Sequence, residues 1–222
     1  MTNVTNQKPS REAHPSEACY AVRFSIKDRP LDDDEDGYDL LHEFTGEIVR
    51  KPETDEIIVG KVRAERVDVG EAMNRRWSLM DAFDHSGETE EFYDPLFDPG
   101  TYDFREGLGL ESFGDVLIVH SIEIVPEYRG LNLGLLVMLQ TIKTLSGGCA
   151  VVAIKPYPLQ FSGNVNKDNE PEFDKGQKKL RAYWQKFGFQ RIGKTEYYYC
   201  DPTHRLPRAE KLWTPIKVKA KS

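Results

Sequence analysis

Residues 116–154 limit the fold more than any other stretch of the chain. They read VLIVHSIEIV, then PEYRG, then LNLGLLVMLQTIKTL, then Gly147-Gly148 and AVVAI. The first segment reads as a buried strand, with a turn at 126–130. Residues 131–145 carry apolar side chains at helical spacing and stop at the glycine pair. Residues 150–154 form a short apolar run of the kind found in parallel pairs. After a long polar loop at 155–176, an amphipathic helix is expected at 178–187, ended by Gly188. A last strand is expected at 190–200. The order is strand, turn, helix, strand, helix, strand, which predicts a mixed α/β fold.

The N-terminal half reads as β-rich. Residues 19–26 (CYAVRFSI) alternate as a first strand, and an acidic loop follows at 28–38. Residues 40–50 and 56–69 look like a hairpin joined by 51–55, which contains Pro52. Residues 70–83 predict one helix with Met73, Trp77, Met80 and Ala82 on a stripe. Residues 1–17 read as a disordered tail, 18–200 as one domain with an insertion at 70–115, and 201–222 as a basic tail. A length of 222 residues suits that arrangement.

Composition narrows the partners. The net charge is −7, which argues against duplex nucleic acid or anionic membrane, since both reward clustered Lys and Arg. The charge is uneven: residues 81–115 hold eleven acidic residues against Arg105 alone, whereas 204–222 hold six Lys/Arg against Glu210. The acidic stretch also carries seven aromatics, including Phe92 and Phe97, which does not fit a simply disordered segment. Three cysteines, Cys19, Cys149 and Cys200, form no disulfide framework and no zinc-ligand spacing, so no metal is expected. Residues 1–17 lack an apolar signal core, and no apolar run approaches the roughly 20 residues of a membrane span. A cytoplasmic location is the expectation.

The turn at 129–134 suits an anion. It exposes backbone N–H groups and opens directly into a helix, whose start has unpartnered donors and partial positive charge. Gly130 and Gly134 allow close approach. A strand–helix turn with packing glycines is the plain alternative.

The run IVPEYRGLNLG resembles the acyl-CoA pyrophosphate loop of the GNAT N-acetyltransferase superfamily. Arg129, Asn132 and Gly134 fall on the fixed positions of that loop. AYWQKFGFQRIG resembles the family's helix ending in a Gly-Phe pair, here Gly188-Phe189. The resemblance covers roughly 116–199, with the hairpin at 40–69 fitting earlier strands. It implies the GNAT fold, a central, mixed, mostly antiparallel sheet splayed between two parallel strands and flanked by helices. It also implies acetyl-CoA as acyl donor and transfer of the acetyl group to a primary amine by direct attack of the deprotonated nitrogen. The pantetheine arm would pair with backbone near Glu123, Ile124 and Val125. The pyrophosphate would sit on Arg129, Gly130, Leu131, Asn132, Leu133 and Gly134, and Trp184 would border the cofactor.

The sequence departs from the pattern at two places. Asn132 stands at the family's first glycine, and Asn tolerates unusual backbone angles. Trp184 stands where many members have a tyrosine proposed to protonate the thiolate, and an indole N–H is no useful acid. Tyr183 is adjacent but rotated by about 100°. The acid role is left to Tyr198, with Tyr197, Tyr199 and solvent open; packing is the plain reading of all three. His120 is the first choice of base, as it resembles strand histidines of the arylalkylamine branch. A satisfied core histidine is the plain alternative. Glu123 is second. On a regular strand it faces away from His120, and a bulge would bring it round.

The acidic, aromatic insertion at 70–115 either caps the acceptor site and favours a cationic amine, or is a solubilising surface. The expected partner is a small-molecule amine, with no nucleic acid and no membrane; a protein amine and a homodimer stay open. The contrasting reading is a GNAT-fold module that binds CoA or regulates without chemistry.

Overall fold

The computed structural model describes residues 19–27, 38–51, 55–110, 113–161 and 165–212. Three sequence readings, the tail at 1–17, the acidic loop at 28–37 and residues 213–222, lie outside them. Seven strands form one sheet: β1 (Cys19–Ile26), β2 (Leu41–Lys51), β3 (Ile57–Val67), β4 (Asp115–Ile124), β5 (Cys149–Ile154), β6 (Gln190–Arg191) and β7 (Tyr198–Cys200). The order across the sheet is β1-β2-β3-β4-β5-β7-β6. Only β4 and β5 pair in parallel. The mixed, mostly antiparallel sheet expected from the sequence is present.

The helices are α1 (Val69–Arg75), α2 (Leu79–Phe83), α3 (Gly87–Glu90), α4 (Tyr93–Leu96), α5 (Leu133–Leu145), α6 (Glu170–Gln185) and α7 (Ala209–Leu212). One sheet face packs against α5 and the end of α6 through Leu117, Val119, Leu135, Met138, Ile142 and Phe187. The other face packs against the insertion through Val116, Ile118, Val151, Phe83, Leu96 and Phe97. The sheet is thus the middle of three layers.

Three local readings need correction. The helix expected at 70–83 is two helices. Asp68 and Ser78 each cap a start, and Arg76 closes the first in the left-handed region (φ 56°). The supposed stripe therefore fails, and Met73 and Met80 are exposed. The helix expected at 178–187 begins at Glu170 instead, because Pro171 sits in its first turn, where a missing N–H costs nothing. The strand expected at 190–200 is a small hairpin, since Gly193 (φ 50°) and a Thr195 turn separate β6 from β7. Part of the segment read as a tail is also packed: Leu212 of α7 is buried in the α5-side core.

The insertion is a structural layer. Phe83, Leu96 and Phe97 are fully buried, and Phe97 packs on Phe83, Tyr93 and Phe104. Burial on this scale excludes a merely solubilising surface role.

Candidate functional site

The β4–β5 ladder runs only from Asp115–Cys149 to Ile118–Ala153. Strand β4 continues to Ile124 with β3 as its partner there. The two parallel strands therefore part company after Ile118, and a cleft opens beside the rest of β4. At the far end β3 presses close: a Cβ on Gly60 would stand 2.1 Å from the Glu123 carbonyl oxygen, so only glycine fits. The cleft has a volume of about 1240 Å³ and runs past the turn after β4, the start of α5, the loop after β5 and the last turns of α6. Its lining includes His120, Glu123, Ile124, Val125, Arg129, Gly130, Asn132, Leu133, Gly134 and Trp184. Among the sequence candidates, Leu131 and the three tyrosines Tyr197, Tyr198 and Tyr199 do not line it.

The turn into α5 holds two left-handed residues, Gly130 (φ 82°) and Asn132 (φ 56°, ψ 20°). Asn132 is thus accommodated as its backbone tolerance predicts. Arg129 is exposed, and its Nε donates to the Ile124 carbonyl at 2.7 Å. The Val125 N–H donates to the Val59 carbonyl at 3.0 Å. Two backbone groups expected to pair with a pantetheine arm are therefore engaged within the protein.

Tyr183 corrects the helical-step argument: it lines the cleft beside Trp184. Its hydroxyl accepts from the Leu135 N–H at 3.1 Å. That position exists because residue 134 is glycine; a Cβ there would lie 2.9 Å from the hydroxyl. Burial pushes the Tyr183 hydroxyl up to about 12, against the pull of the Leu135 N–H, so it stays protonated near neutrality.

His120 sits on a bulge. Arg63 faces Ser121 and Ala64 faces Val119, which leaves His120 as the extra residue of β4. Leu117 and Val119 face the α5 side, and Ile122 and Ile124 pack on that same side. The three-residue step from Val119 to Ile122 reverses the alternation, so Glu123 shares the insertion-side face with Val116 and Ile118. The flip that a bulge would give Glu123 is present. Glu123 itself is exposed and stands opposite Lys61.

The His120 side chain is 5% exposed. Its Nε2 lies 2.9 Å from Glu65 Oε2, an ion-pair approach and not an aligned hydrogen bond. Its Nδ1 lies 3.8 Å from Glu88 Oε2. Phe92 meets the ring edge-on, centroids 6.1 Å apart. Burial raises the Glu65 carboxyl, but His120, Thr89 and Arg63 outweigh it and hold the group below the usual carboxylate range. The Thr89 hydroxyl donates to Glu65, and Arg63 pairs with both Glu65 and Glu88.

The tyrosines at 197–199 divide three ways. Tyr197 donates to Glu91 at 3.0 Å and stacks edge-on with Phe92. Glu91 also pairs with Lys155, whose ammonium lies 5.3 Å over the Tyr197 ring. Tyr198 is 3% exposed in the α5-side core. Tyr199 donates to the Leu108 carbonyl at 2.6 Å. A hydroxyl buried in the core cannot serve a thiolate in the cleft, so the geometry does not support Tyr198 as acid.

Sequence reasoning overlooked Glu65 and Thr89, and set Tyr183 aside on its rotation about α6. Glu65 left a signal: it shares a sheet face with Val67, so a carboxylate stands at an inward position. Among the described residues no group of three His, Cys, Asp or Glu is placed to hold a metal, and no helix is long and apolar enough to cross a membrane. No protein-family model, no curated protein and no solved structure matches this chain.

Proposed function

We propose that the protein is a GNAT-type N-acetyltransferase that moves an acetyl group from acetyl-CoA to a primary amine. The observation that carries this reading is one continuous cleft that joins a left-handed glycine turn at a helix start to the buried His120–Glu65 pair. The first turn of α5 has N–H groups without partners inside the helix, which suits a pyrophosphate. Arg129, Gly130, Leu131, Asn132, Leu133 and Gly134 would hold that group, with Ile124, Val125 and Trp184 along the arm. The cleft, at about 1240 Å³, has room for a ligand of coenzyme size.

Acetyl-CoA supplies an activated thioester carbonyl and a thiolate leaving group. His120 takes one proton from the acceptor ammonium, directly or through water. The freed amine lone pair forms the new C–N bond as the C–S bond breaks, and the overall reaction releases one proton. With Tyr198 in the core, solvent supplies the proton for the leaving thiolate. The nearest insertion carboxylates, Glu88 and Glu91, already hold Arg63 and Lys155. The insertion therefore favours a cationic small molecule by its net charge at a distance and not by a direct ion pair. A protein amine is a second acceptor class. Catalysis in a cytoplasmic setting fits all of these residues.

A CoA-binding or regulatory module without chemistry is the alternative, supported by Trp184 at the acid position and by Tyr183 at the helix start. Thermal unfolding with acetyl-CoA and with CoA separates the cases. A ligand at a hundred times its Kd adds about 2.7 kcal/mol. No shift with either ligand sinks the cofactor assignment. Shifts without released CoA, across small amines and lysine or N-terminal peptides, favour the module.

A further inference from the structure

Glu65 and Thr89 lie outside the turn that defines the donor site, and no chemistry of the donor requires them. Glu65 nevertheless keeps an ionised carboxylate at 3% exposure on β3, 2.9 Å from the ring of His120. At that distance a bare Nε2 is repelled by a carboxylate oxygen, and an Nε2–H is attracted to it even without hydrogen-bond alignment. The proton of a neutral His120 ring therefore belongs on Nε2, and the lone pair belongs on Nδ1. On the Nδ1 side the only near carboxylate among the described residues is Glu88, at 3.8 Å, 65% exposed and tied to Arg63. Its pull on an Nδ1 proton is screened by solvent and by that partner. The two carboxylates thus act unequally on the two nitrogens.

We propose that Glu65 is a positioning residue that fixes the His120 tautomer, leaves Nδ1 as the nitrogen that accepts the acceptor's proton, and is itself held in place by Thr89 of the insertion. The proposal rests on the transferase reading for its role in turnover, but not for the tautomer. The Thr89 hydroxyl donates to Glu65 and accepts from Ser86, at the capped start of α3. The insertion would then serve the chemistry through one hydroxyl, besides covering the sheet. In the proton step, the acceptor ammonium loses one N–H bond, Nδ1 gains one, and the ring becomes imidazolium with Glu65 opposite its Nε2–H.

The test is nitrogen NMR of histidine-labelled protein, run beside steady-state kinetics on Glu65→Gln and Thr89→Val. The expected wild-type spectrum shows the neutral His120 ring protonated at Nε2 and bare at Nδ1. Glu65→Gln keeps the shape and removes the charge. It is expected to mix the tautomers and to lower kcat about tenfold, with KM for acetyl-CoA within twofold. Thr89→Val is expected to shift both readouts the same way by a smaller factor. A wild-type ring protonated at Nδ1, or a tautomer unmoved by Glu65→Gln in a variant that stays folded by circular dichroism, overturns the proposal. A wild type that releases no CoA with any amine overturns the transferase reading instead, and the spectrum then still decides whether Glu65 sets the ring.

Discussion

Gly134 has no Cβ, and the space a Cβ would take is held by the Tyr183 hydroxyl. Ala is the better helix former by up to about 1 kcal/mol. Displacing the hydroxyl costs about 1 kcal/mol through its hydrogen bond to Leu135. Gly134→Ala is therefore expected to be neutral or destabilising in the wild type, and stabilising by about 0.5–1 kcal/mol in a Tyr183→Phe background. Urea unfolding of the four proteins measures it; equal effects in both backgrounds would mean that Tyr183 does not set the spacing. The sequence made Gly134 visible through its place in a helix-opening turn. It hid Tyr183, because the neighbour that fills a gap comes from residues 49 positions away and no local spacing reports it. His120 was legible as a titratable residue on a strand; its carboxylate partner was not, since strand pairing decides which residues meet.

Helix α4 and its flanks show how an acidic segment becomes a layer. Phe92, Tyr93, Leu96 and Phe97 fall on one side of a chain whose carboxylates face solvent, and they cover Val116, Ile118 and Val151. Phe97→Ala is expected to cost about 3–5 kcal/mol, as for other fully buried phenylalanines, and to shift the urea midpoint without changing the fold class. A loss below 1 kcal/mol would show that the insertion is loosely seated. Elements with a single strong period, such as α5 and the β2–β3 hairpin, were readable within about two residues. Short helices were not. Caps at Asp68, Ser78 and Ser86 set α1, α2 and α3 more than their apolar spacing does, and a stripe drawn across two of them joined exposed methionines.

The whole molecule carries its charge as a surplus over many internal pairs, and stability against pH depends on the few groups whose burial departs from the rest. Asp115, at the start of β4, is pushed up to about 6 by burial and by the neighbouring Asp68, against the Gly70 N–H and Arg66. A carboxyl raised in the folded state binds its proton more tightly there than in the unfolded chain. Its contribution is full below about pH 4 and is lost as pH rises toward 6. Asp115→Asn is expected to remove that slope and to leave the protein about 1 kcal/mol more stable at pH 7, after allowance for solvent screening. Thermal melts of both proteins between pH 4 and 7 test it; parallel curves would show Asp115 titrating as an ordinary carboxyl. The strand–helix–strand crossover was legible in the order of elements, because it leaves few alternatives; the splay of the parallel strands was implied only by the GNAT resemblance, and the insertion's place as a third layer was not read.

The extra residue at His120 has a consequence for how this gene can change. Across it, Val119 and Ile122 keep the same face although they stand three positions apart. Loss of a single codon between 119 and 122 would restore a plain strand. It would leave Ile122 and Ile124 on the α5 side and Glu123 on the insertion side, because two residues instead of three would then carry Val119 to the next α5-facing side chain. A substitution here alters one contact, whereas that deletion removes His120 or Ser121 and keeps both faces of the strand. The ten-residue span of β4 can therefore lose one codon without turning its core side chains outward, and what it forfeits is the placing of His120 and Ser121 on one face.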